Sequence, residues 1–431
     1  MATTDSHFVA ALAEIRGKRW LRNQLCSTCK PIINCASDAT IPHLQNAAEI
    51  QISASQGCHL CSLLYGSLPL AVNKYNKDSL PGTAIKTDGP WAAEIRFEQP
   101  LCLRKFKIEV YTAGQRNQSY ILRLHGDTKH DAQAWAGKTG DLDSNDSTGS
   151  DQSLEVAKSW LDECLYRHGD TCGNSSSHPN RVVPTRLVAI TDSSISLRLS
   201  ENHDISVRYL ALSYCWGTPN DSELKLTDQN RKLLMQNVRY ADLPCTIAEA
   251  VVATERLGYR YLWVDRLCIL QGNGVDWKFE ATRMGRYYQN SDCCLAALRS
   301  ENPHHGLFVS RNPLIMEPLD VMQDDTDLVR HISITSIDSY AGHYPRLYNG
   351  PPYVLSRRAW VLQERLLAPR TIHFGSLMLY WECGKLRLAE DKPTLDLDLP
   401  YSVILRKFGS RSPQSQGTSV DRIISEADQN L

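Results

Sequence analysis

Tyr209-Leu-Ala-Leu-Ser-Tyr-Cys-Trp-Gly217 is a short apolar run rich in aromatic residues, and Tyr261-Leu-Trp-Val-Asp-Arg-Leu-Cys-Ile-Leu-Gln271 is a second run of the same kind. Both runs are too short to be buried helices, so they predict central strands of a mainly parallel sheet. Between them, Leu243–Gly258 has apolar residues at helical spacing, and Thr246 with Glu249 has the form of a capping box. Strand, helix and strand predict one βαβ unit at the centre of an α/β fold.

The carboxyl ends of these two strands are the first candidate binding site, because ligands of open α/β sheets bind beyond the carboxyl ends of the strands. A small molecule or a nucleotide is the expected ligand. The residues at these ends are Trp216, Gly217, Asp265, Arg266, Cys268 and Gln271. Asp265 is a candidate catalytic residue that holds a ribose hydroxyl or orients a base, and the open alternative is a structural carboxylate that caps the next loop. Arg266 favours the ionised form of Asp265 if both side chains point the same way.

The other residues at these strand ends each have a functional and a structural interpretation. Gly217 permits a ligand to approach the backbone closely and Trp216 can stack on it, whereas the alternative is a turn glycine beside a core tryptophan. Cys268 is a candidate nucleophile, but the sequence gives no reason to prefer any base for it, which favours a packed thiol. Gln271 closes the second run and is a candidate substrate-binding residue.

A second candidate site lies in Ser356-Arg-Arg-Ala-Trp-Val-Leu-Gln-Glu364. Trp360 and Glu364 are four residues apart, so they fall on one helix face. An apolar lid over a carboxylate raises its pKa or focuses its charge on a bound cation, which makes Glu364 a candidate catalytic residue and Trp360 a candidate substrate-binding residue. In the alternative, Trp360 belongs to the core and Glu364 pairs with a neighbouring arginine. The arginines within reach are Arg357, Arg358 and Arg365.

Two cysteine pairs near the start of the chain form a candidate metal site. Cys26 and Cys29 make one Cys-x-x-Cys pair, and Cys58 and Cys61 make the other. Two such pairs complete a four-coordinate zinc site, and four thiolates leave no open position for catalysis, so the zinc would be structural. Buried free thiols are an equal alternative, because free cysteine packs well in cores. The spare ligands nearby are Cys35, His43 and His59.

Composition limits the class of protein and its location. The chain has 431 residues and a net charge of −1, which does not suggest a nucleic-acid or membrane-surface binder. It contains no apolar run long enough to span a bilayer, and its first residues lack the basic and apolar regions of a signal peptide. The fourteen cysteines are therefore expected to be reduced thiols or metal ligands in a cytoplasmic protein. No P-loop, dinucleotide-binding glycine motif or serine-hydrolase motif occurs.

Four regions are predicted along the chain. Residues 1–75 form a helical segment with the cysteine pairs, and residues 76–200 form an antiparallel β region that includes a mobile loop at 126–153 and an amphipathic helix at 154–168. Residues 201–390 form the α/β core, and residues 391–431 form a tail. Alternation over 91–125 predicts an antiparallel meander within the second region. The helix after the second strand is predicted to begin at Asp276, to bury Trp277, and to carry Glu280 and Arg283 as a solvated pair.

Five pieces of this sequence, in their order and spacing, resemble the fungal heterokaryon-incompatibility (HET) domain. They are Ala211-Leu-Ser-Tyr-Cys-Trp-Gly217, Leu243-Pro-Cys-Thr-Ile247, Tyr261–Gln271, Asp276-Trp277 with Met284, and Arg358-Ala-Trp-Val-Leu-Gln-Glu364. Paired cysteines similar to those at 26–61 also occur near the start of HET proteins, which adds to the zinc hypothesis. The chain departs from the family at Arg266, where the family usually has a small residue.

The resemblance implies a role in fungal non-self recognition and programmed cell death, with a TIR-like or flavodoxin-like core. Carried over from TIR domains, Glu364 would stabilise the oxocarbenium ion as nicotinamide leaves NAD, and Trp360 would stack on a ring. One alternative is a non-enzymatic signalling module that acts with a protein partner or as a homo-oligomer. The other is a recruited biosynthetic enzyme that acts on a small metabolite, which Arg266 motivates.

Overall fold

The structure is a computed structural model of the chain. It describes residues 20–33, 40–42, 47–64, 91–97, 105–112, 119–127, 145–169, 172, 181–190, 197–201, 204–218, 223–317, 319–322, 329–334, 355, 359–375, 377–390 and 393. Several predictions fall outside these residues: the loop over 128–144, the ligands Cys35 and His43, the tail beyond 393, and Ser356 to Arg358. The side chain of Trp360 also lies outside the described part.

The described elements follow one another in this order. The strands are β1 (Thr40–Pro42), β2 (Trp91–Phe97), β3 (Lys105–Thr112), β4 (Ser119–Asp127), β5 (Arg186–Ile190), β6 (Leu197–Glu201), β7 (Leu210–Ser213), β8 (Tyr261–Trp263), β9 (Cys293–Ala297), β10 (Leu319–Met322), β11 (Val329–Ile334), β12 (Arg370–Phe374), β13 (Leu379–Cys383) and β14 (Arg387–Ala389). The helices are α1 (Cys29–Ile33), α2 (Ala47–Ser55), α3 (Asp151–Arg167), α4 (Arg231–Gln236), α5 (Cys245–Arg256), α6 (Asp265–Cys268), α7 (Gly274–Asn290) and α8 (Ala359–Leu367), with 3-10 turns at Tyr240–Asp242 and Pro313–Met316.

An eight-stranded sheet forms the core, in the order β14-β13-β12-β9-β7-β8-β5-β6. The four middle strands, β12, β9, β7 and β8, pair in parallel, and the strands on both sides pair antiparallel. This confirms a mixed α/β fold with a mainly parallel middle. Numbered from β7, the parallel strands run 2-1-3-4, as do the first four strands of the flavodoxin order. An antiparallel hairpin follows in place of a fifth parallel strand, so the TIR-like or flavodoxin-like assignment stays a prediction.

The predicted βαβ unit is present and builds the centre of the core. Every residue of β7 is buried, which explains its continuous apolar run, and β7 pairs with β8 in parallel through Leu210 and Leu262. Helix α5 buries the predicted apolar face against them. The capping box is wrong: Pro244 is the N-cap, and the buried Thr246 hydroxyl has no hydrogen-bond partner among the described residues. Glu249 accepts instead from the backbone N–H groups of the loop at 307–308.

A second, six-stranded sheet is antiparallel, in the order β1-β2-β3-β4-β11-β10. Strands β2, β3 and β4 are the meander predicted over 91–125. Strands β10 and β11 extend this sheet although they lie some 200 residues later in the chain. Local alternation identifies each strand, but it does not say which sheet a strand joins.

Helices α3 and α7 differ in detail from the predictions. Helix α3 begins at Asp151 rather than at 154, because Ser150 caps it by accepting from Ser153 N–H at 3.2 Å. Helix α7 is capped by Asn273 rather than by Asp276. Trp277, predicted to be buried, is 56% exposed. No helix in the described part of the chain is long and apolar enough to cross a bilayer.

Candidate functional site

Helix α8 places the candidate catalytic glutamate at the carboxyl edge of the parallel strands. Val361 of this helix packs with Cys215, which follows β7, and with Ala296 and Leu298 at the end of β9. The strand order reverses between β7 and β9, because β8 lies on one side of β7 and β9 on the other. Such a switch point is where doubly wound α/β proteins bind their ligands. Glu364 follows Val361 by three residues on the same helix.

The Glu364 carboxylate is half-buried and is held by hydroxyl groups. The hydroxyl of Ser213, the last residue of β7, donates to one carboxylate oxygen of Glu364. The Tyr288 hydroxyl lies beside the same carboxylate and donates to the Leu212 carbonyl at 3.0 Å. Arg365, one of the arginines predicted as a partner of Glu364, donates instead to Glu382 at 2.7 Å.

Both candidate carboxylates influence the hydroxyl of Tyr288. Burial of its ring, followed by the negative charge of Glu364 and that of Asp265, raises the pKa of the Tyr288 hydroxyl well above its ordinary value. The phenol therefore stays protonated at neutral pH. Glu364 and Asp265, which are 99 residues apart in the sequence, are thus both close enough to this buried phenol for their charges to act on it.

Asp265 is the N-terminal residue of α6 and is bound by two donors. Trp216 donates from its indole N–H to one oxygen at 2.7 Å, and the backbone N–H of Arg266 donates to the other at 2.7 Å. The Arg266 guanidinium has a different carboxylate as its ion-pair partner. It forms an ion pair with Glu223 and lies over the Trp216 ring, 4.6 Å from the ring centroid. One face of Trp216 is therefore covered by a cation.

Three other predicted site residues, Cys268, Gln271 and Gly217, pack against or bind to other parts of the protein. Cys268 is fully buried, and this burial raises the pKa of its thiol to about 12, so it is protonated at neutral pH and fits the packed-thiol alternative. The Gln271 side chain donates to the Ile269 carbonyl at 3.0 Å. Gly217 has φ +69°, and a Cβ there would lie 2.6 Å from the Cβ of Asn302, so the close approach is made by a protein loop. Their roles in substrate binding or catalysis stay predictions.

The two cysteine pairs near the start of the chain come together. All four sulfur atoms lie within 4.8 Å of one another. Cys29 and Cys61 are 3.5 Å apart, and Cys26 and Cys61 are 4.0 Å apart, which brackets the spacing of about 3.8 Å expected between sulfur ligands of tetrahedral zinc. The group fits a metal ion with four thiolate ligands.

His59 is not a ligand of that group, because both of its ring nitrogens have backbone partners. Asn23 N–H donates to Nδ1 at 3.1 Å. Nε2 lies 3.1 Å from the carbonyls of both Leu314 and Glu317. His59 therefore attaches the cysteine segment to the 3-10 turn at Pro313–Met316.

Comparison with known proteins finds one match to a family model. Residues 209–364 match the family model described as heterokaryon incompatibility protein (HET). The chain carries a HET domain. The match begins one residue before β7 and ends at Glu364, so the HET domain contains both candidate carboxylates. No curated protein and no solved structure gives a significant match.

Several residues around the HET site were not predicted. Ser213 donates to Glu364, and Tyr288 lies beside it. Glu223 pairs with Arg266 and also lies 2.9 Å from Nε2 of His304. Ser213 lies inside an apolar run and Tyr288 on a helix face typical of the core, so neither has a local signal of function. A second group of metal-ligand side chains, Cys164, His168, Cys172 and Cys383, was also missed. Its signal was the spacing Cys-x-x-x-His-x-x-x-Cys at the end of the predicted helix.

Proposed function

We propose that this chain is a fungal heterokaryon-incompatibility protein of non-self recognition and cell death, and that its HET domain cleaves NAD at the nicotinamide–ribose bond. One observation carries the proposal. The negative charges of Glu364 and Asp265 both act on the buried, protonated hydroxyl of Tyr288, at the edge of the parallel sheet where the strand order reverses. Two carboxylates at such a site suit a ligand that carries, or develops, positive charge.

Cleavage requires a carboxylate near the anomeric carbon of the ribose. The bond between that carbon and the nicotinamide nitrogen breaks, and the nitrogen keeps the electron pair and leaves as neutral nicotinamide. The ribose ring becomes an oxocarbenium ion, which Glu364 stabilises by its negative charge. Water then adds to the ion and loses a proton, giving ADP-ribose. In this mechanism Ser213 orients Glu364, and Asp265 accepts a ribose hydroxyl.

The test is nicotinamide release from NAD by the purified chain over a series of protein concentrations. We expect turnover by the wild type and a loss of about 100-fold or more in Glu364→Gln, which keeps the shape of the side chain but removes its charge. Glu155→Gln, on the exposed face of α3, is the matched control and should retain wild-type turnover. A wild type that releases no nicotinamide at any concentration excludes NAD cleavage by this protein.

A second candidate function is signalling by contact between copies of the chain, without catalysis. Helix α7 favours it, because Val275 and Phe279 lie one turn apart and are 84% and 45% exposed, and Trp277 is 56% exposed. Arg283 covers part of this surface by lying 3.8 Å from the centroid of the Phe279 ring. This alternative predicts a wild type inactive toward NAD whose self-association, measured by light scattering, is reduced by Trp277→Ala.

A further inference from the structure

The end of helix α3 and the end of strand β13 bring together a second set of metal ligands. Cys164 lies in the last turn of α3, His168 is the residue that ends the helix, and Cys172 follows in a turn. Cys383 closes β13, 215 residues after His168. All four side chains are buried, and their ligand atoms lie within 4.8 Å of one another.

The distances match tetrahedral coordination. The His168 Nδ1 atom lies 3.5 Å from the sulfur of Cys172 and 3.5 Å from the sulfur of Cys383. Zinc bonds of about 2.3 Å to sulfur and about 2.05 Å to nitrogen place two such ligands about 3.6 Å apart on a tetrahedron. Ligand atoms from three separate segments thus converge at the spacing of one zinc ion.

The backbone around Cys383 is arranged to stabilise a thiolate. The N–H groups of Lys385 and Leu386 point to its sulfur at 3.4 and 3.2 Å. Cys383 N–H also bonds the Leu386 carbonyl at 3.0 Å, which closes the turn between β13 and β14. Turns that aim N–H groups at one sulfur favour its anionic form, which is the form that binds metal.

Arg370 supplies the charge that such a site requires. Its guanidinium donates from Nε to the sulfur of Cys164 at 3.1 Å. Arg370 is only 1% exposed, so its charge is buried. Three thiolates around one divalent zinc leave a single net negative charge, which one arginine neutralises. A buried arginine beside a thiolate of a metal site is therefore balanced in charge.

We propose that Cys164, His168, Cys172 and Cys383 bind a structural zinc ion. Four protein ligands fill the tetrahedral shell and leave no position for a substrate, so the ion has no catalytic role. It would join the helix before the HET domain to the hairpin after it. The proposal does not depend on NAD cleavage or on zinc at the four-cysteine group near the start of the chain.

The test is the zinc content of the full-length chain, purified under reducing conditions without chelator and measured by native mass spectrometry. If both groups bind, we expect two zinc ions per wild-type chain, one in Cys383→Ser and one in Cys58→Ser. Cys293→Ser removes an equally buried cysteine outside both groups and should keep both ions. One ion that is lost in Cys383→Ser and kept in Cys58→Ser also supports the proposal.

Two other results would overturn the proposed zinc site at Cys383. One is a wild type that contains no zinc, and the other is a zinc content that Cys383→Ser does not change. An intact mass about 2 Da below that of the reduced chain, lost in Cys383→Ser, would show a disulfide in place of the metal site.

If a cysteine variant does not fold, the proposal can still be tested by a measurement on the wild type. Zinc X-ray absorption should give an average of about 3.5 sulfur and about 0.5 nitrogen ligands per ion when both groups are filled. His168→Cys should keep the ion and shift this average to sulfur alone. Sulfur-only coordination in the wild type contradicts a site that includes His168.

Discussion

Arg186 is a buried arginine whose partner Asp276 lies 90 residues later in the chain. It is 2% exposed and lies 2.6 Å from Asp276 and 3.6 Å from Glu280. Glu280 is fully buried and accepts from the Tyr287 hydroxyl at 2.8 Å. The predicted solvated pair between Glu280 and Arg283 is therefore wrong, because Glu280 is buried and β5 brings Arg186 to its carboxylate.

Removal of Arg186 should leave two carboxylates without their cation. We expect Arg186→Met to lower the free energy of unfolding by about 3–5 kcal/mol, because a buried charge that loses its partner keeps its desolvation cost. Arg283→Met changes an exposed arginine on the same helix as Glu280 and should stay within about 0.5 kcal/mol of the wild type. Urea unfolding followed by tryptophan fluorescence measures both values. Equal effects of the two substitutions would contradict a network centred on Arg186.

At the level of elements, Glu390 joins the hairpin of β13 and β14 to Arg311 and to the start of helix α3. It follows β14 and forms a bidentate ion pair with Arg311 at 2.7 and 2.8 Å, with both side chains buried. The Ser153 hydroxyl at the start of α3 and the Leu379 N–H of β13 donate to the same carboxylate. Burial alone raises the pKa of Glu390, but Arg311 and these donors outweigh it, so the pKa lies below its ordinary value.

This direction of the pKa shift predicts a loss of stability in acid. A carboxylate with a lowered folded pKa contributes stability above its ordinary pKa, and this contribution is lost as the pH falls through the folded pKa. Between about pH 6 and about pH 3, the wild type should lose at least ~1 kcal/mol more than Glu390→Gln, which has no charge to titrate. Urea unfolding at several pH values measures the two curves.

Glu390→Gln must remain folded at neutral pH for the two curves to be compared. We expect its free energy of unfolding there to be lower than that of the wild type by about 3 kcal/mol, because Arg311 loses its anion. Glu155→Gln, which changes an exposed carboxylate of α3, should follow the wild-type curve. Parallel curves for the wild type and Glu390→Gln would exclude this carboxylate as a source of the acid sensitivity.

At the scale of the whole molecule, the sheet is larger than the HET match. Strand β8 pairs with β5, which lies before residue 209, and β9 pairs with β12, which lies after residue 364. A fragment limited to 209–364 would expose both edges of its parallel strands and lose the partner of Arg311. Exposed edges of apolar strands favour aggregation over folding.

We therefore expect a fragment of residues 209–364 to be insoluble or to unfold without cooperativity. A longer fragment, 20–393, contains all strands of both sheets, helix α3 and the Arg311–Glu390 pair, and should be soluble with a cooperative transition. Size-exclusion chromatography and thermal unfolding by circular dichroism distinguish the two fragments. Cooperative unfolding of the short fragment would show that the match alone is a folding unit.

Several parts of this protein could be predicted from local sequence pattern alone. Continuous apolar runs predicted β7 and β8, because strands buried on both faces need apolar side chains at every position. Helical spacing predicted α5, and alternation predicted β2 to β4. The sequence motifs also predicted the match to the HET family model and the convergence of the two cysteine pairs at 26–61.

The contacts between these segments could not be predicted from local pattern, because they depend on how the whole chain packs. Ser213 reaches Glu364 across 151 residues, and Cys383 reaches His168 across 215 residues. Tyr288 and Glu280 occupy positions in α7 that look like those of ordinary helix residues. Both side chains are nevertheless buried beside charged groups from other elements. Strand order sets these contacts, and it depends on the packing of the whole sheet. A pattern within one segment records how deeply that segment is buried, but it carries no information about the neighbour that buries it.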